Sequence, residues 1–66
     1  MKTYYVNNKA QSNGDHEVHV VSCNHFPSDY KSLGSHSDCK SAVKEAKKTY
    51  SKSNGCYWCC NDCHTS

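Results

Sequence analysis

The stretch Cys56-Tyr57-Trp58-Cys59-Cys60-Asn61-Asp62-Cys63-His64-Thr65-Ser66 holds four of the six cysteines of a 66-residue chain. It contains two C-x-x-C pairs, Cys56/Cys59 and Cys60/Cys63, and far upstream lies His19-x-x-x-Cys23. Two compact ligand pairs distant in sequence are the usual plan of a structural zinc site, each pair supplying two corners of a tetrahedron. This feature says most about how the chain folds.

The rest of the composition explains why such a site is wanted. The length fits one small domain, residues 1–66, and a chain this short buries too little surface to be comfortable without a metal, disulfides or a partner. Its large apolar residues are few: Val6, Val18, Val20, Val21, Phe26, Leu33, Val43 and Trp58, with five tyrosines. A disulfide contributes about 2–4 kcal/mol. A tetrahedral zinc site in a small domain contributes on the order of 10–16 kcal/mol, because the unfolded chain holds no preformed site. The start, Met1-Lys2-Thr3-Tyr4-Tyr5-Val6-Asn7, lacks the apolar run of a signal peptide. A cytoplasmic location is therefore expected, where thiols stay reduced and clustered cysteines more often bind metal. No segment is apolar enough to span a bilayer, so no membrane association is expected.

The formal charge of +2 comes from eight lysines against six acidic residues, with no arginine. Arginine is the preferred donor to guanine edges, so a sequence-specific DNA reader is disfavoured. Weak, non-specific nucleic-acid contact through lysine stays open as an alternative.

Along the chain, Thr3-Tyr4-Tyr5-Val6 reads as a first strand. The polar run from Asn7 to Asp15, with its Asn-Gly step, reads as a turn. His16-Glu17-Val18-His19-Val20-Val21 reads as a second strand, paired antiparallel with the first. Its period of two puts His16, Val18 and Val20 on one face and Glu17, His19 and Val21 on the other. Pro27 blocks further ladder pairing, and Lys31-Ser32-Leu33-Gly34 is a candidate third strand with a bend at Gly34. Cys39, Ala42, Val43, Ala46 and Tyr50 then recur at helical spacing, which predicts an amphipathic helix over 37–50. Ser35 to Ser37 offer its cap, and Asp38 sits near its positive end. Ser51-Lys52-Ser53-Asn54-Gly55 reads as the stop and turn into the cysteine cluster. The expected fold is α+β: a two- or three-stranded antiparallel sheet, one amphipathic helix and a C-terminal zinc knuckle.

The leading ligand set is His19, Cys23, Cys56 and Cys59. In a zinc knuckle a tight turn brings two sulfurs about 3.5–4 Å apart around one ion. Gly55 lets the backbone approach closely. Cys60 and Cys63, with His64, form a rival set. Cys39 lies on the apolar helix face, where a free cysteine is most often a small buried hydrophobe. The other reading is that Cys39 meets the C-terminal cysteines as a disulfide or further ligand. His16, His25, His36 and His64 read as surface or turn residues. His16-Glu17-Val18-His19 is not the metalloprotease motif, whose histidines lie four apart on a helix. Cys56-Tyr57-Trp58-Cys59 lacks the following helix that a thioredoxin-like pair needs to activate its thiol. Tyr57 and Trp58 are expected to pack as a cover over the site.

The run Gly14-Asp15-His16-Glu17-Val18-His19-x-x-x-Cys23, then Phe26-Pro27, Leu33-Gly34, Cys39-x-x-Ala42-Val43-x-x-Ala46 and Asn54-Gly55-Cys56-x-x-Cys59, resembles a family of short uncharacterised bacterial proteins. The resemblance covers most of the chain and carries no assigned activity. More distantly, the frame is similar to the metal-binding domain of the Ada DNA-repair protein, which has two ligands three residues apart, a helix, then C-x-x-C. That domain uses four cysteines, the first being the thiolate that accepts a methyl group from DNA phosphotriesters. His19 stands in that place here, and an imidazole cannot serve as that acceptor. The resemblance implies a zinc-organised fold without the repair reaction.

The sequence thus favours a small zinc-stabilised binding or adaptor module, not an enzyme, with a structural Zn²⁺ and an unknown protein partner. The lysine face of the helix, Lys40, Lys44, Lys47 and Lys48, is the favoured contact surface. The alternatives are a thiol-redox or disulfide-stapled protein using Cys39, Cys56, Cys60 and Cys63, and a weak nucleic-acid binder.

Overall fold

A computed structural model of the chain describes residues 1–65. Its elements are β1 (Lys2–Asn7), β2 (His16–Val20), β3 (Tyr30–His36), α1 (Cys39–Ala46), β4 (Ser53–Gly55) and a 3-10 turn at Asn61–Cys63. The four strands form one sheet in the order β3-β1-β2-β4. β1 pairs antiparallel with both β2 and β3, whereas β2 and β4 run parallel. The α+β class stands. The two- or three-stranded antiparallel sheet is corrected to a mixed sheet of four strands.

The extra strand is Ser53-Asn54-Gly55, a polar tripeptide with none of the β-branched or aromatic residues that signal a strand. All three residues are buried beside β2, in the register His16↔Ser53, Glu17↔Asn54 and Val18↔Gly55. Hydrogen bonds continue the pairing at both ends, from His16 N–H to the Lys52 carbonyl at 2.8 Å and from Cys56 N–H to the Val18 carbonyl at 2.9 Å. Tertiary burial, not local propensity, makes this segment a strand.

β3 is longer than Lys31–Gly34 because a bulge lets it follow β1 past Gly34. Tyr4 faces Gly34 while Tyr5 faces Ser32, so Leu33 is the extra residue. Gly34 takes φ +83°, the left-handed conformation that glycine adopts in such bulges. The strand therefore continues through Ser35 and His36, and the helix cannot be capped there. Asp38 is the cap: its Oδ1 accepts the Ser41 N–H at 3.0 Å. At the other end α1 stops at Ala46, short of the 37–50 expected. Tyr50 instead stacks on His16, ring centroids 3.9 Å apart, and donates its hydroxyl to Asn8 Oδ1 at 2.7 Å.

The two sheet faces differ. Tyr4 and Val6 of β1 and Val18 and Val20 of β2 pack on Ala42 and Ala46 of α1, with Leu33 and Cys60 completing the core. The opposite face carries Tyr5, Phe26 and Tyr30, whose rings meet edge-on or tilted at 4.9–5.3 Å. His19 belongs to that second face, opposite Tyr5 in the ladder. The period-two reading of β2 thus places His19 away from the aliphatic core. No helix among the described residues is long and apolar enough to cross a membrane.

Candidate metal centre

Parallel pairing of β2 and β4 sends both strands out at the same end of the sheet. β2 delivers His19 just before its end and Cys23 in the turn beyond it. β4 ends at Gly55, so Cys56 is the next residue and Cys59 follows one turn later. Antiparallel strands would have put the two pairs at opposite ends. Tight turns hold each pair in place: Cys23 N–H bonds the Val20 carbonyl at 3.0 Å, and Cys60 N–H bonds the Cys56 carbonyl at 2.9 Å.

One donor atom from each of His19, Cys23, Cys56 and Cys59 lies within 4.8 Å of all the others. Cys23 Sγ is 3.8 Å from Cys56 Sγ, and Cys59 Sγ is 3.9 Å from His19 Nδ1. Metal–sulfur bonds of about 2.3 Å at tetrahedral angles imply sulfur–sulfur edges of about 3.8 Å. Backbone amides point at two of the sulfurs, from His25 to Cys23 and from Trp58 to Cys56, each at 3.4 Å. Such donors favour the thiolate form that a metal requires. The four residues could therefore hold a metal ion.

Burial sets the protonation of these groups before any ion arrives. It lowers the His19 pKa, with Glu17 opposing and His25 adding to the effect, so the imidazole stays neutral and free to ligate. Burial also pushes the thiols of Cys56, Cys59 and Cys60 upward. A divalent cation reverses that preference, because its charge compensates the thiolates directly.

Comparison of the chain with family models, with curated proteins and with solved structures gives no match. Its own geometry must carry the reading.

One supporting residue was not singled out from the sequence. The carboxylate of Glu17 stands 3.6 Å from His19 Nε2, whereas Cys59 Sγ approaches the other ring nitrogen, Nδ1. A carboxylate behind a ligating imidazole fixes the ring and raises its basicity. The signal was present, since Glu17 and His19 share a strand face. Gly55 is needed for the close backbone approach expected of it. Its φ is not positive, but a Cβ there would lie 2.5 Å from the Cys60 carbonyl oxygen and 2.7 Å from Cys63 Cβ. The cysteine loop folds directly against it.

The rival ligands go elsewhere. Cys63 forms a disulfide with Cys39, Cα atoms 6.2 Å apart, which corrects the reading of Cys39 as a free core thiol. Cys60 is a free thiol buried with the core aliphatics, its sulfur 3.9 Å from that of Cys59. His64 donates from Nδ1 to the Gly55 carbonyl at 3.1 Å. His36 donates from Nε2 to the Leu33 carbonyl at 2.8 Å. His25 stacks on Trp58 at 5.1 Å. Tyr57 and Trp58 do not form the expected hydrophobic cover, being 51% and 67% exposed.

Proposed function

We propose that the protein is a small binding module whose fold is pinned by one structural zinc ion, held by His19, Cys23, Cys56 and Cys59 in a C-terminal knuckle. The observation that supports this most is the closed donor set of three sulfurs and one buried imidazole, drawn from two chain segments at one end of the sheet. Borderline-soft zinc favours such a set. Bound there, the ion would cross-link the end of β2 to the loop after β4. Four protein ligands leave no open position for an activated water, so the metal is read as architecture. The likeness of the H-x3-C…C-x2-C frame to the Ada metal-binding domain supports the same zinc-organised reading, and His19 removes the methyl-accepting thiolate. Under this reading the working surface lies elsewhere on the molecule.

The Cys39–Cys63 disulfide favours a second component, a covalent staple beside the metal. The two are compatible, because zinc-bound thiolates and the disulfide use different cysteines. Native mass spectrometry of untagged protein tests both. One zinc per chain and four alkylatable thiols after its removal are expected. Chelation should abolish the native circular dichroism spectrum. A chain that takes up no metal and keeps its spectrum in chelator overturns the proposal.

A further inference from the structure

A cleft of about 360 Å³ opens between the start of α1 and the cysteine loop, lined by Tyr4, Asp38, Trp58, Asn61, Asp62 and three of the cysteines. It is distinct from the metal donor cluster and shares only Cys59 with it. Its chemistry runs against that of the whole chain. The chain carries a formal charge of +2, yet the lining holds two carboxylates and no lysine or histidine.

Those carboxylates are only partly used by neighbours. Asp38 uses Oδ1 to cap α1 through Ser41 N–H at 3.0 Å, while Oδ2 makes no hydrogen bond or ion pair among the described residues. Asp62 makes neither. The second, independent feature is Tyr4. The residue is only 7% exposed, its hydroxyl makes no hydrogen bond among the described residues, and that hydroxyl is not closed off from solvent. Tyr4 lines the cleft together with Asp38, Cys59 and Cys60. An accessible hydroxyl with no protein partner is free to accept a hydrogen bond. Here it faces a space that a donor can enter.

Trp58 supplies the remaining wall. It lines this cleft and also the smaller one that holds His25, whose ring stacks on the indole at 5.1 Å. The indole therefore stands between the two spaces, oriented by His25 on one side. An indole beside carboxylates attracts a cation through both its quadrupole and their charge.

We propose that this cleft binds a primary alkylammonium group, the protonated side chain of a lysine. The ammonium carries three N–H donors for Oδ2 of Asp38, a carboxylate oxygen of Asp62 and the Tyr4 hydroxyl, and its alkyl stem lies against the indole. A quaternary ammonium would leave the hydroxyl unpaired. This names the partner chemistry of the binding module above and rests on that reading.

The test uses the zinc-loaded chain, with the Trp58 indole resonance and backbone amide shifts followed by NMR. The probes are Nα-acetyl-lysine N-methylamide, n-butylamine and the uncharged norleucine analogue. Saturable shifts at Trp58, Asp38 and Asp62 with the amines, and none with norleucine, are expected. Tighter binding of the capped lysine assigns the ligand to a peptide, whereas equal binding assigns it to small amines. Asp38→Asn together with Asp62→Asn should weaken the amine by about tenfold or more, since two charge-assisted hydrogen bonds are lost. Asparagine still caps α1, so the fold is kept. Equal response to norleucine, no saturable shift, or full affinity in the double variant overturns the proposal. Zinc content measured on the same samples separates this outcome from failure of the metal reading.

Discussion

The segment Cys56–Cys63 contains the same C-x-x-C spacing twice, yet the two halves end in different sulfur centres. Cys56 and Cys59 turn toward the end of β2 and meet His19 and Cys23, with backbone N–H groups aimed at Cys23 and Cys56 and a carboxylate behind the imidazole. Cys60 and Cys63 turn toward α1, where Cys63 bonds Cys39 and Cys60 fills space in the aliphatic core. Spacing brings two thiols near each other. Their chemistry is decided by the chain segment that faces them. The first half faces a strand end that offers two more donors. The second half faces the first residue of a helix, which offers one thiol.

The comparison is broken most directly by removing one member of each centre. Cys56→Ser should leave the protein unfolded by circular dichroism at ambient temperature. The lost metal contribution, on the order of 10–16 kcal/mol, matches or exceeds the whole stability of a typical small domain. The pair Cys39→Ser and Cys63→Ser opens a cross-link between residues separated by 24 positions and should cost about 3 kcal/mol. That variant should still bind one metal ion, read by denaturant unfolding with metal analysis. The reverse ranking, with the disulfide variant unfolded and Cys56→Ser native, would show that the staple and not the metal centre organises the tail. The smallest effect sharpens the metal side alone. Glu17→Gln keeps the side chain's shape and removes its charge behind His19, and should weaken zinc by about 10–100-fold in a chelator competition. Unchanged affinity would mean that Glu17 is only a ladder residue.

Much of the metal side was legible. The alternation in β2 separates His19 from Val18 and Val20, and the H-x3-C and C-x2-C pairs are compact enough to be recognised without a fold. What could not be read was the device that joins them. Ser53-Asn54-Gly55 has no strand propensity and becomes a strand only because it is buried beside β2. Its parallel direction follows from the path of the chain through β3 and α1, which no local pattern encodes. The helix was recognised by its apolar spacing but overextended. Tyr50 continues the spacing, yet its ring prefers the flat face of His16. Cys39 was ambiguous for the same reason: a thiol on an apolar face looks identical whether or not another sulfur lies across from it. Trp58 was assigned to packing because apolar residues are scarce, whereas the structure leaves the indole at the rim of an acidic cleft.

The parallel alignment of β2 with β4 also orders events as the polypeptide is synthesised. His19 and Cys23 leave the ribosome first, and Cys56 follows 33 residues behind Cys23. Until β4 has emerged, an ion finds two donors where four are needed, and capture is correspondingly weak. Under the proposed zinc reading, metal loading would be a late step in the maturation of the chain, and a translation product arrested before Cys56 would hold only two of the four donors.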